Sequence, residues 1–216
     1  MTHTDDAEGA RVGRLVTRGV IHVDGRDVAL ENNVWLVGDA NEVIVIDPAH
    51  DPEATLAAVD GRLVTTILIT HGHADHAGAA LRFAELVDAP VFLHPADLEL
   101  WSESHPDRQP DGVLVDEAVF TVRETPIRVL HTPGHTPGSV SFLAPTLGAV
   151  FTGDTLFEGG PGATRWSYSS FPVIVDSIRT RLFTLPPQTV VHPGHGRSTT
   201  IGAERPQLAQ WLARGW

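Results

Sequence analysis

Five histidines and two aspartates have the types and spacing of a two-metal hydrolytic centre: His71, His73, Asp75 and His76 in one short run, then His135, Asp154 and His195. The run Thr70-His71-Gly72-His73-Ala74-Asp75-His76 directly follows the apolar, β-branched stretch Val64 to Ile69, which reads as a buried strand. Imidazole nitrogen and carboxylate oxygen suit zinc, manganese or ferrous iron, and the chain has no cysteine to offer sulfur. Gly72 and Ala74 carry little bulk, so the turn can fold tightly and alternate side chains can diverge toward two neighbouring ions.

The elements that must position these donors are visible as apolar runs ending in glycine-rich turns. Ile127 to Leu130 leads into His131-Thr132-Pro133-Gly134-His135-Thr136-Pro137-Gly138, Ala149 to Thr152 into Gly153-Asp154, and Val190-Val191 into His192-Pro193-Gly194-His195-Gly196. Each donor therefore sits on a loop at a strand end, where a rigid scaffold holds loops that carry chemistry. Strands are expected at Leu15–Val23, Val34–Val37, Val43–Ile46, Val64–Ile69, Val91–Leu93, Val119–Val122, Ile127–Leu130, Val140–Leu143 and Ala149–Thr152. Helices are expected at Pro52–Val59, at Asp75–Val87, around Val173–Phe183 and over Ala203–Trp216. Asp75 near a helix start suits the positive end of the helix dipole.

The order H-x-H-x-D-H, then His, Asp and His, resembles the metallo-β-lactamase superfamily over roughly Val34 to Gly196. Within it, the segments His131 to Ser139 and Phe151 to Phe157 look most like the glyoxalase II branch, which hydrolyses thioesters of small thiols. The resemblance implies an α/β fold, a four-layer αββα sandwich formed by one domain over residues 1–216. It also implies that His71, His73 and His135 hold one metal, that Asp75, His76 and His195 hold the second, and that Asp154 bridges them. The expected cofactors are two divalent ions, zinc by preference, with iron or manganese as alternatives. The antibiotic-hydrolysing members often use a cysteine late in the motif; Asp154 stands there instead and argues against that activity.

Such a site would lower the pKa of a shared water, and the resulting metal-bound hydroxide would attack a thioester carbonyl. Asp75 is the candidate catalytic carboxylate, by helping to move that water's proton, or else a ligand alone. A thiolate leaves without protonation, which suits a site with no evident general acid. The alternative reading is a persulfide dioxygenase using one ferrous ion on His71, His135 and Asp154; other ester or lactone hydrolases of the superfamily, and a metal-binding module without catalysis, rank below it. Glyoxalase II proteins and persulfide dioxygenases usually carry a G-C-G-(K/R) segment facing glutathione. Here Pro161 replaces the cysteine and Ala163 the basic residue, which argues against glutathione and leaves room for another small thiol such as mycothiol.

Around the centre, Asp47 before Pro48 is either a support for the metal loops or a turn former. His131 and His192 read as structural, and His3, His22, His50, His94 and His105 as surface or partly buried residues. Arg165 is a surface arginine or a substitute for the missing cation. Phe171 is expected to pack, Trp166 and Tyr168 are open as pocket residues, and Glu103 to Gly112 reads as a mobile rim or lid. With 216 residues the chain can bury a substantial core. The formal charge of −12 and the lack of a basic cluster argue against a nucleic acid partner. All fifteen basic residues are arginine. No apolar run approaches ~20 residues, so no membrane span is expected. Residues 1–10 read as a frayed N-terminus without signal-peptide character, which makes the cytoplasm the expected location. The expected partner is a small-molecule thioester or related substrate.

Overall fold

In the computed structural model, residues 9–23 and 25–215 are described. Most of the N-terminal stretch read as frayed, His3, Trp216 and the side chain of His22 lie outside the described residues.

The first sheet runs β1 (Arg11–Val23), β2 (Arg26–Gly38), β3 (Glu42–Ile46), β4 (Leu63–Leu68), β5 (Val91–Leu93) and β6 (Gly112–Val113), in that spatial order. β1, β2 and β3 are antiparallel, and β3 to β6 are parallel. The second sheet uses β7 (Val119–Val122), β8 (Thr125–His131), β9 (Val140–Ala144) and β10 (Ala149–Gly153). A short ribbon of β11 (Leu156–Phe157) and β12 (Gly160–Pro161) follows, after which β13 (Val190–Pro193) joins parallel to β10 and β14 (Thr199–Thr200) closes the edge.

Strands buried on both faces alternate their side chains between two cores. Trp35, Val37, Ile44, Ile46 and Leu68 point inward to meet Ile127, Val129, Val140, Phe142 and Phe151 of the second sheet. Their neighbours Val34, Leu36, Val43, Val45 and Ile67 point outward to Val59, Ala77, Ala80, Phe83 and Ala84 on α1 (Pro52–Val59), α2 (Ala74–Ala77) and α3 (Ala80–Val87). α4 (Leu98–Ser104) adds Trp101 to that face. Leu130, Leu143, Val150 and Val191 face Ile174, Ile201 and Trp211 on α5 (Phe171–Ser177), α6 (Ile201–Glu204) and α7 (Leu208–Arg214). This is the αββα sandwich, and each fully buried large side chain contributes about 1.5–3 kcal/mol.

Local chemistry sets the element ends. Asp51 caps α1 by accepting from Ala54 N at 2.8 Å, with Pro52 in the first turn; Ser170 caps α5, with Pro172 following. Several expected elements differ. The helix from Asp75 breaks between α2 and α3 at Gly78-Ala79, where the poorest helix former of the run sits, so the turn carrying Asp75 and His76 is aimed separately from the face that packs on the sheet. The C-terminal helix is interrupted by a 3₁₀ turn at Arg205–Gln207 because Pro206 has no N–H to donate, and α5 passes into a π-helical turn at Ile178–Leu182. β1 and β2 form a hairpin of 13 residues per strand, longer than expected, because the polar run from Arg26 to Asn33 hides its strand character.

At one end of the sandwich the two sheets are stitched together by Val140 N→Thr70 O (2.9 Å) and Asn33 N→Gly194 O (2.7 Å). The loops after β3, β4, β8, β10 and β13 converge there.

Candidate metal centre

The structure gathers all seven expected donors at that end. His71, His73 and His135 form one group, and Asp75, His76 and His195 a second; within each group the donor atoms lie within 4.8 Å of one another. In the first, His73 Nδ1 is 3.1 Å from both His71 Nε2 and His135 Nε2. In the second, His195 Nε2 stands 3.2 Å from Asp75 Oδ2 and 3.3 Å from His76 Nε2. Asp154 reaches both: Oδ2 is 3.6 Å from His135 Nε2 and 3.5 Å from His195 Nε2, and Oδ1 is 3.4 Å from His76 Nε2. Gly194 allows this approach, because a Cβ there would fall on Asp154 Oδ1 and the His76 ring.

The opposite ring nitrogens fix the tautomers. His135 Nδ1–H donates to Ala163 O (2.8 Å) and His195 Nδ1–H to Glu31 O (2.7 Å); carbonyls only accept, so each Nδ1 carries a proton and Nε2 is the atom left to bind a metal in the neutral ring. His76 Nδ1–H donates to Asp47 Oδ2 (2.9 Å), and His71 Nδ1–H to Thr70 Oγ1 (3.1 Å), whose hydroxyl donates to Asp47 Oδ2 at 2.6 Å. Asp47 Oδ1 also accepts Thr70 N at 2.7 Å. Asp47 therefore supports the loops that carry the donors, one of the two roles the sequence left open for it.

Electrostatics divides the two groups. Burial, with the neighbouring imidazoles, holds His71 well below its ordinary value; burial and then His135 push His73 down to about 3, and burial lowers His135. Burial alone would also lower His76 and His195, but Asp75 and Asp154 raise His76 and Asp154 raises His195 to about 10. Burial would raise Asp75 and Asp154, yet the facing histidines, His76 foremost, hold both well below the carboxylate range. Two ring nitrogens close on His73 Nδ1 at 3.1 Å, two buried carboxylates are held ionised, and Asp154 Oδ1 is buried without a hydrogen-bond partner among the described residues. A nitrogen and oxygen donor set with those features fits divalent cations such as zinc, manganese or ferrous iron.

Three supports had no sequence signal. Asn32 Nδ2 donates to Asp75 Oδ2 at 3.0 Å while its Oδ1 accepts from His50 Nε2 at 2.7 Å. Asp97, buried below the centre, accepts Gly72 N (2.8 Å), Gly138 N (2.6 Å) and Thr136 Oγ1 (2.7 Å), tying the loop after β4 to the loop after β8. His50, read as an ordinary histidine, lines the cavity above the metal donors.

That cavity, of about 900 Å³, has His73, Asp75, His135, Asp154 and His195 among its walls. Val20, Leu30, Phe157 and Pro161 supply apolar lining, and Glu103, Arg165, Trp166 and Tyr168 a polar and aromatic one. Arg165 is thus a cavity residue, its guanidinium 4.8 Å from the Trp166 ring centre. Phe171 packs as expected. His131 stacks on His94 and His192 on Phe151. The segment Glu103 to Gly112 is tied down by His105 Nε2–H to Ala77 O, Trp101 Nε1–H to Arg108 O and Val91 N to Asp111 Oδ2, and only Glu103 of it reaches the cavity. Its polar, proline-bearing composition gave no sign of these anchors. Among the described residues no helix is long and apolar enough to cross a membrane.

The model of the metallo-beta-lactamase superfamily matches residues 28–195. Hydroxyacylglutathione hydrolase GloC of Haemophilus influenzae is 30% identical over 82% of this chain and 91% of its own. Among solved structures, BLEG-1 B3 metallo-beta-lactamase is 29% identical with a TM-score of 0.75 over 88% of this chain and 97% of its own. TTHA1623, in a di-iron-bound form, is 35% identical with a TM-score of 0.70 over 87% and 96%. ETHE1 from Myxococcus xanthus is 27% identical with a TM-score of 0.70 over 91% and 85%.

Proposed function

The chain belongs to the metallo-beta-lactamase superfamily, and from that premise we propose that it is a binuclear metal-dependent hydrolase acting on the thioester of a small thiol. The observation that carries the reading is the pair of donor groups joined by Asp154 at the wall of an open cavity. His71, His73 and His135 would hold one divalent ion, Asp75, His76 and His195 the other, and Asp154 both; zinc is the preferred metal. Ions held there would supply an acidified water and a polarised carbonyl. The relative GloC, named as a hydroxyacylglutathione hydrolase, supports the thioester assignment.

The protein's own groups do the positioning. Asn32 holds the Asp75 carboxylate by Oδ2 at the cavity wall, where Asp75 would accept a hydrogen bond from the attacking water and help to move its proton. Asp47 fixes the rings of His76 and, through Thr70, His71. A thiolate leaves unprotonated, so no further acid is needed. Ala163 offers no cation, and Arg165, the arginine of the cavity wall, lies over Trp166 instead; a thiol other than glutathione is favoured on that ground, mycothiol being the test case.

A persulfide dioxygenase with one ferrous ion on His71, His135 and Asp154 is the second reading, favoured by the likeness to ETHE1. The complete second group, Asp75, His76 and His195, argues for hydrolysis. The deciding experiment offers metal-loaded protein matched glutathione and mycothiol thioesters, a lactone, a β-lactam and a persulfide. Thioester turnover, with mycothiol preferred, is expected; oxygen consumption with persulfide and no hydrolysis would overturn the proposal.

A further inference from the structure

The outer nitrogens of four donor histidines end on backbone carbonyls or on the Asp47–Thr70 pair, whereas that of His73 does not. His73 Nε2 lies 2.9 Å from the hydroxyl of Tyr168, on the cavity-lining loop between β12 and α5. With a metal ion where His73 Nδ1 converges with the Nε2 atoms of His71 and His135, Nδ1 would be bare as a ligand, so Nε2 would carry the ring proton and the Tyr168 oxygen would accept it. The tyrosine's own proton then has no acceptor among the described residues, and its ring borders the cavity.

The ring is held by a stack. Tyr168 lies parallel to Trp166, with 4° between planes and 6.1 Å between centres, and Trp166 packs 4.8 Å from the ring of His73 and 5.3 Å from that of His135. Arg165 covers Trp166 as well. The hydroxyl is thereby fixed on a loop whose composition differs from the glutathione-facing segment of the family.

We propose that Tyr168 is a positioning residue: its oxygen orients His73 toward the metal, and its hydroxyl proton is donated to a carbonyl or carboxylate oxygen of the bound substrate. The first half rests on the metal-centre reading, and the second also on the hydrolase reading. The two halves tie the occupancy of the cavity to one metal ligand.

Tyr168→Phe keeps the stacked ring and removes only the oxygen. Chelator competition on the metal-loaded variant should show one of the two ions held about tenfold more weakly, and the visible spectrum of the cobalt(II)-substituted protein should shift. With the thioester that the wild type turns over best, KM at saturating metal should rise about three- to tenfold, with kcat less affected. Wild-type metal retention together with an unshifted cobalt spectrum would overturn the positioning role, and an unchanged KM would overturn the donation to substrate. Should the wild type hydrolyse no thioester, the hydrolase reading and the substrate-facing half fail together, while the chelator and cobalt measurements still decide the positioning role.

Discussion

Asp154 is the residue on which the two donor groups depend as a pair, since its oxygens approach His135 on one side and His76 and His195 on the other. Asp154→Asn keeps the volume and removes the charge that would span both ions. The variant is expected to bind fewer than two ions per chain and to lose about 100-fold or more in turnover, with its circular dichroism unchanged; wild-type metal content and rate would contradict this. At this scale the sequence was most informative. His71, His73, Asp75 and His76 stand in one run, and His135, Asp154 and His195 each follow an apolar stretch, so they are legible without coordinates. Asn32 and His50 are not, because their roles come from a hairpin folding across the site, with Asn32 standing 43 residues before the carboxylate it holds.

At the scale of elements, the geometry depends on loops being tied to each other below the donors. Asp97 does this with a single carboxylate, and the approach is so close that a Cβ on Gly138 would fall on that carboxylate and one on Gly72 on Leu100 and the Asp97 backbone oxygen. Asp97→Ala would leave two buried N–H groups and the Thr136 hydroxyl without that acceptor. Part of the loss is offset because burial holds the Asp97 carboxyl above its ordinary value. The expected cost is about 2 kcal/mol or more, seen as a melting temperature lower by roughly 4–8 °C; an unchanged melting curve would contradict it. Strands written as nearly continuous apolar runs were legible in the sequence, as β3, β5 and β9 show. The two-residue strands β6, β11, β12 and β14 were not, since pairing rather than pattern defines them. The break at Gly78 was missed because the apolar period runs on across it.

For the molecule as a whole, the two sheets are joined at the metal end by backbone hydrogen bonds and elsewhere by Asp39, whose carboxylate meets Arg123 from the β7–β8 turn at 2.7 Å. The backbone N–H groups of Glu42 and Asn41, and then Arg123, hold that carboxyl at about 2, below the usual 3.8. A depressed carboxyl contributes stability that is fully present above its unfolded value and is lost as the pH falls through the folded one. The denaturant-midpoint gap between wild type and Asp39→Asn should therefore be full at about pH 5 and narrow between about pH 4 and 2; a gap independent of pH would contradict this. The layered fold was readable from strands apolar on both faces, whereas this joint depends on a turn and a distant arginine meeting only in three dimensions. The central claim concerns the other end of the molecule, where two carboxylates stay ionised among five histidines. Metal identity and stoichiometry, measured on protein purified anaerobically without added metal, test it most directly: two divalent ions per chain are predicted, and one iron per chain, or no metal at all, would contradict the account.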